Sequence, residues 1–222
     1  MTIRRTIITA AAALAAAALL AGCSGSNDPK PAKTTASSHT ATASATPTPT
    51  AVVAPAQAQV AAPTSKDAAL QAANKTVQKF IKLQFDLESN PSLGASYLNE
   101  YVSGNASGAA PSAVEQLQKA GLRLTGSPST FQPDMGISYT STVTAAAPKK
   151  TQYPFANAML IGCLSNLGTG QKYIAKGGAT PPALKLQSEP FEYQVMYSPD
   201  QKVWKVTAFQ PADPNSGAVP EC

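Results

Sequence analysis

The chain has 222 residues, with 17 Lys and Arg against 12 Asp and Glu, three cysteines and one histidine. From Lys66 onward 13 basic residues stand against 11 acidic ones, and no block of like charge exceeds the pair Lys149-Lys150. A surface that tracks phosphates needs clustered Lys and Arg, so nucleic acid and a polybasic contact with lipid headgroups drop out as partners.

Residues 1–22, MTIRRTIITAAAALAAAALLAG, place Arg4 and Arg5 before an uncharged apolar run from Ile7 to Ala21 and end in small residues. That layout predicts an export signal. The run spans roughly 22 Å as a helix, short of the about 20 residues that a comfortable membrane crossing takes. Arg4-Arg5 suits both an ordinary positive n-region and a twin-arginine signal.

Leu20-Ala21-Gly22-Cys23 resembles the lipobox of bacterial lipoproteins. The match covers all four positions, at the expected depth behind the apolar run. The resemblance implies that the Cys23 thiol carries diacylglycerol and that cleavage makes it the first residue. Two or more acyl chains, at about 0.8 kcal/mol per buried CH₂, give stable anchoring. The expected location is the extracytoplasmic face of the cell membrane, with the membrane as a partner through Cys23.

Residues 23–65 predict a disordered tether. From Ser24 to Ser65 there are eleven Ala, eight Thr, six Ser and six Pro, with no Leu, Ile or aromatic residue. Such a segment buries too little apolar surface to offset its chain entropy. Fully extended it reaches about 140 Å, and the Thr/Pro alternation of ATASATPTPT (41–50) favours extended backbone. It reads as a spacer through a cell wall, and its Ser, Thr and Pro also suit O-glycosylation. His39, the lone histidine, lies in this stretch.

Residues 66–222 form the predicted folded domain, long enough for one core. Leu70, Ala73, Val77, Phe80, Ile81 and Gln84/Phe85 recur at helical spacing over Lys66–Glu88, with Lys75, Lys79 and Lys82 mostly off that face. Asn90-Pro91 reads as the start of a shorter helix carrying Leu93, Tyr97, Leu98 and Tyr101. SGNASGAAP (103–111) reads as a loop. Ser112-Ala113-Val114-Glu115 fits a capping box and Gly121 a helix end, predicting a third helix over roughly 113–120.

The period then changes. Ile137, Tyr139, Ser141 and Val143 alternate with polar residues, as do Phe191, Tyr193, Val195 and Tyr197 with Glu192, Gln194 and Met196; both predict half-buried strands. Ala158–Leu164 reads as a central strand and Gln171–Ala175 as a shorter one. Ser198-Pro199-Asp200-Gln201 is a turn that joins the 190–197 strand to Lys202–Gln210 as a hairpin. Helices followed by antiparallel strands predict an α+β class.

This order resembles the nuclear transport factor 2-like superfamily, which includes the SnoaL-like enzymes. The resemblance implies N-terminal helices in the concave face of a curved antiparallel sheet, a cone, with Val203-Trp204-Lys205-Val206 in a late strand. The chain also resembles actinobacterial lipoproteins of unassigned function, which share a tethered domain of this size, a Gly-containing segment like Ala120–Pro128, a mid-domain cysteine and a terminal one.

Cys163 lies in the apolar strand and Cys222 is the last residue given. Outside the membrane such a pair oxidises, and a bridge closing a loop this long is worth about 4 kcal/mol in the chain-entropy account. Two free thiols are the alternative. Two cysteines without histidine make a poor metal site.

Catalytic signals are sparse. A Ser/His/Asp or Cys/His arrangement needs an imidazole, and residues 66–222 hold none. Glu189 and Glu192, at odd spacing on a strand, fall on opposite faces. Asp86 and Glu88, at the end of the first helix, read as solvated. Gly168-Thr169-Gly170 reads as a turn, since no phosphate-loop helix follows it. Tyr139, Tyr193 and Trp204 are the candidate pocket residues, with simple core as their alternative role. The expected function is a non-enzymatic binding module at the cell envelope, with no cofactor and no metal. Its partner is an envelope protein, a cell-wall component or a small ligand. The alternatives are an accessory domain of an envelope assembly (secretion, conjugation or wall synthesis) and a carboxylate-dependent small-molecule enzyme.

Overall fold

The structure, a computed structural model, describes residues 56–145, 150–178, 181–213 and 219–222. The signal segment, Cys23 and the tether as far as residue 55 lie outside the described residues.

Helix α1 runs Lys66–Ser89, and the Ser65 hydroxyl caps it by accepting from the Ala68 amide at 3.2 Å. Of the apolar stripe read from spacing, Leu70, Ala73, Val77, Phe80 and Ile81 are buried and Gln84 and Phe85 half-buried; Leu87, not part of that reading, is buried too, while Lys75, Lys79 and Lys82 are exposed. Each fully buried Leu, Val or Phe contributes roughly 1.5–3 kcal/mol, so this stripe seats the helix on the sheet.

The second predicted helix is instead two 3₁₀ turns, Pro91–Leu93 and Ala95–Glu100. Gly94 separates them at φ 84°, a left-handed conformation that no α-helix carries through.

The third helix also differs. Helix α2 spans Ala106–Lys119 and takes in residues read as a loop, with Pro111 inside it. Ala106, Ala110 and Val114 form a buried stripe at i, i+4 and i+8, and this packing outweighs the proline. Ser112 is therefore mid-helix and accepts from Gln116 Nε2 rather than capping. Gly121 does follow the helix end, at φ 64° with its amide on the Gln118 carbonyl.

Among the described residues seven strands follow: β1 (Leu122–Thr125), β2 (Thr130–Pro133), β3 (Tyr139–Thr144), β4 (Gln152–Ser165), β5 (Lys172–Ala175), β6 (Ser188–Ser198) and β7 (Val203–Pro211). The short β1 and β2 carry too little periodicity to be read from sequence. All the strand pairs are antiparallel. One sheet runs β2-β4-β6-β7, with β3 also on β4, and β1 pairs with β5 in a separate two-stranded sheet. β4 is central, as its apolar run predicted: β6 lies along one edge, while β3 and β2 share the other, pairing with its first and last parts. The domain is thus α+β.

α1 packs on β4 and β7. The junction is aromatic: Phe80 meets Phe209 and Tyr193, and Tyr193 meets Phe131 and Phe191, with centroids 4.8–6.4 Å apart. Contacts of this kind are worth about 0.5–1.5 kcal/mol each beyond area burial.

Two further findings concern how the chain is held. Residues 56–65, read as the end of the tether, are joined to the domain: Gln57 Nε2 donates to the Glu100 and Trp204 carbonyls at 2.7 and 3.0 Å, and the Val60 amide donates to the Lys202 carbonyl at 2.7 Å. The folded unit thus begins ahead of Lys66, because backbone and amide groups, not apolar side chains, make these contacts. Cys163 in β4 is disulfide-bonded to Cys222, with the Cα atoms 5.6 Å apart.

Candidate functional site

The last two turns of α1 project Ile81, Gln84, Phe85 and Glu88 to one side, at i, i+3, i+4 and i+7. They form one wall of a partly open cavity of about 120 Å³. Leu124 of β1 and Leu164 of β4 supply further apolar lining. Ser129 ahead of β2, Gln171 ahead of β5 and Tyr193 of β6 bring polar atoms. The cavity sits where the helix end, the two-stranded sheet and the large sheet meet.

Tyr193 is 3% exposed, and among the described residues no group hydrogen-bonds its hydroxyl. Burial alone raises its pKa, so it stays neutral over the ordinary pH range. Tyr193 lines the cavity, and its hydroxyl keeps some access to solvent there.

Glu88 accepts from Gln84 Nε2 at 2.7 Å. Burial raises its pKa, and this outweighs the opposing effect of the Gln84 bond. The helix end adds a second penalty, because negative charge is disfavoured there and the last turn holds no basic residue. The solvated role read for Glu88 is thus corrected: a polar residue at i+7 from Ile81 continues the inward stripe and is carried under β1 and β5. Asp86, off that face, is paired with Lys82 at 2.6 Å.

Some donors in this site are already spent. Gln171, 9% exposed, gives its amide nitrogen to the Ser127 carbonyl at 2.8 Å and to Ser129 Oγ at 3.2 Å. Gln84 gives one of its two N–H groups to Glu88. What remains open is richer in acceptors than in donors: the Glu88 carboxyl and both glutamine carbonyls accept, while the Tyr193 and Ser129 hydroxyls both accept and donate.

The three residues singled out from sequence do not come together. Tyr193 lines the cavity. Trp204 is buried at 3% exposure and lines a different groove of about 300 Å³, between residues 57–60 and the Lys75–Lys79 side of α1. Tyr139 is 51% exposed and lines neither. The alternation at 137–143 therefore has the opposite sense from the one expected. Tyr139 pairs with Met159 on the outer face, Ser138 is the buried neighbour, and the register shifts between Ser141 and Val143. Ser138 goes inside because its hydroxyl donates to the Asp134 carbonyl and accepts from the Ile161 amide. Polarity alone did not reveal that, and the bulge then resets the parity.

The remaining sequence candidates stay structural. Glu192 accepts from Gln210 across the β6–β7 pair. Gly168 and Gly170, both at positive φ, form a turn between β4 and β5. Among the described residues no three or more His, Cys, Asp or Glu cluster as metal ligands, and no helix is long and apolar enough to cross a membrane. Glu88, Gln171 and Ser129 were missed as site residues; only Glu88 left a sequence signal, its place on the helical stripe.

No known family's profile matches this chain, and no curated protein matches it. Among solved structures, the intermembrane space region of the chloroplast protein ARC6 is similar over 64% of this chain and 95% of that one, at 18% identity and a TM-score of 0.36. A likeness of that extent supports no inference about function.

Proposed function

We propose that this protein is a membrane-anchored extracytoplasmic lipoprotein that presents a non-enzymatic binding domain at the cell envelope. The observation that carries the binding reading is the cavity, with the Tyr193 hydroxyl in its wall unpartnered among the described residues. A hydroxyl with no protein partner at a cavity wall is free to bond a ligand. The anchoring reading rests on Leu20-Ala21-Gly22-Cys23, and the Cys163–Cys222 bridge suits an oxidising compartment. For the fold, we read α1 lying on β4 and β7, with bulges in the β3–β4 and β6–β7 pairs bending the sheet, as a nuclear transport factor 2-like cone.

Two experiments test the parts. Cys23→Ala is expected to move the protein from the membrane fraction to the soluble fraction of the exported material; retention in the membrane removes the lipid anchor. Tyr193→Phe is expected to keep or raise thermal stability, because the unpartnered hydroxyl is removed; a loss of more than about 1 kcal/mol shows that the hydroxyl serves the fold instead.

Glu88 favours a second reading, a carboxylate-dependent enzyme, since a carboxyl with raised pKa shares one cavity with a neutral tyrosine and such groups serve acid–base chemistry. A bound ligand recovered chemically unchanged after long incubation supports the binding module; turnover abolished in Glu88→Gln supports the enzyme. An accessory role in an envelope assembly is compatible with the same tethered geometry, and co-purification of a defined envelope complex tests it.

A further inference from the structure

We infer that the cavity at the end of α1 takes a primary ammonium group carried on a short aliphatic stem. This deepens the binding reading and rests on it.

Charge points first to a cation. The two ion pairs recorded among the described residues are Lys82–Asp86 and Lys119–Glu115, so Glu88 has no cationic partner there. Its side-chain partner is the neutral Gln84, and the charged form lies at a helix C-terminus that is itself negative. The titratable groups around it are tyrosines: Tyr193 across the cavity and Tyr173 of β5, whose own pKa is raised by burial and by the Glu88 charge. Nothing described on α1, β1, β4, β5 or β6 supplies a positive charge at this point.

Hydrogen-bonding capacity points the same way. Both Gln171 N–H groups and one of the two on Gln84 are committed within the protein, and the carbonyl oxygens of both glutamines and the Glu88 carboxylate stay open as acceptors beside the Tyr193 and Ser129 hydroxyls. An ammonium has three donors and no acceptor, so it suits a wall richer in acceptors than in donors, whereas an anion meets the uncompensated Glu88 carboxylate. Shape selects the stem. Ile81, Phe85, Leu124 and Leu164 give the cavity apolar sides, and its 120 Å³ has room for a short alkyl chain. A free alkylamine and a lysine-type side chain of a peptide share this chemistry.

The test titrates the full chain with n-butylammonium, n-butanol and butyrate, and separately with the peptide Gly-Lys-Gly, following amide and aromatic NMR shifts around Tyr193 and Glu88. The expected result is binding of n-butylammonium at least tenfold tighter than n-butanol, no shift with butyrate, and loss of that preference in Glu88→Gln. A matching response to Gly-Lys-Gly supports a side-chain source, and a response to n-butylammonium alone a free amine. Equal affinities for n-butylammonium and n-butanol overturn the ammonium assignment while leaving a binding cavity. No shift at the site with any probe overturns the cavity as a binding site along with it.

Discussion

The Tyr197 hydroxyl donates to the Val60 carbonyl at 2.9 Å, across 137 residues of chain. Tyr197 sits near the end of β6 and Val60 in the segment ahead of α1, so one bond ties the approach of the tether to the hairpin. With the Val60 amide on Lys202 and Gln57 on Trp204 and Glu100, this segment is pinned over the β6–β7 turn.

Tyr197→Phe is expected to cost about 1 kcal/mol, the usual worth of one hydrogen bond whose partner carbonyl is left behind. In a domain of this size that lowers Tm by about 3 °C. Limited proteolysis gives the second readout, with cleavage around residues 56–65 accelerated while the rest of the domain resists. Unchanged proteolysis in this segment would show that the segment is not held by Tyr197.

Gly162 of β4 lies opposite Pro133 of β2, and a Cβ at position 162 would sit 2.1 Å from the Gln132 carbonyl oxygen and 2.5 Å from Pro133 Cα. Both contacts are backbone and cannot rotate away. Gly162→Ala is therefore expected to cost about 3 kcal/mol, the upper end of ordinary overpacking, read as a fall in denaturant midpoint. Gly108→Ala, where a Cβ meets nothing within 4 Å, is the control and is expected to be neutral or stabilising.

The Cys163–Cys222 bridge closes a loop with a sequence separation of 59. Cys222→Ser is expected to lower stability by about 2–4 kcal/mol. Wild-type protein in reductant should behave like the variant. Intact mass of the unreduced chain gives an independent check, a loss of two hydrogens relative to the reduced form, and alkylation of native Cys163 would contradict the bridge.

Glu88 sets a pH dependence. Its pKa is raised in the folded domain, chiefly by burial, so the folded state holds its proton to higher pH than the unfolded chain does. Stability from this group is fully present below the unfolded value of about 4.3 and is lost as pH rises through the folded value. Glu88→Gln is expected to flatten that part of the profile and to raise stability at neutral pH, as followed by Tm from pH 4 to pH 8. A variant less stable than wild type at neutral pH would contradict a penalised carboxylate. An ammonium ligand should have the same effect on wild type at neutral pH, and none on the variant.

Much of the secondary structure was legible where periodicity is long and unbroken. The α1 stripe, the Phe191–Tyr197 face and the turn after Ser198 needed only local spacing. Reading stopped where competing local signals were settled by packing. Pro111 and the Gly/Ser-rich stretch before it looked like a loop, yet the buried Ala106, Ala110 and Val114 stripe makes it helix. Likewise the hydrogen bonds of Ser138 took it inside and turned Tyr139 out, and one residue of slip exchanges the two faces of a strand.

By itself the sequence determined the four-residue pattern Leu20-Ala21-Gly22-Cys23 and an α+β order of elements, because these depend on residues near one another in the chain. Only the tertiary structure decided that Glu88, Gln84, Gln171, Ser129 and Tyr193 share one cavity, since α1, β6 and the segments ahead of β2 and β5 meet only when the sheets close on the helix. The chemistry of the site lies in which donors are already spent, and no single segment carries that information.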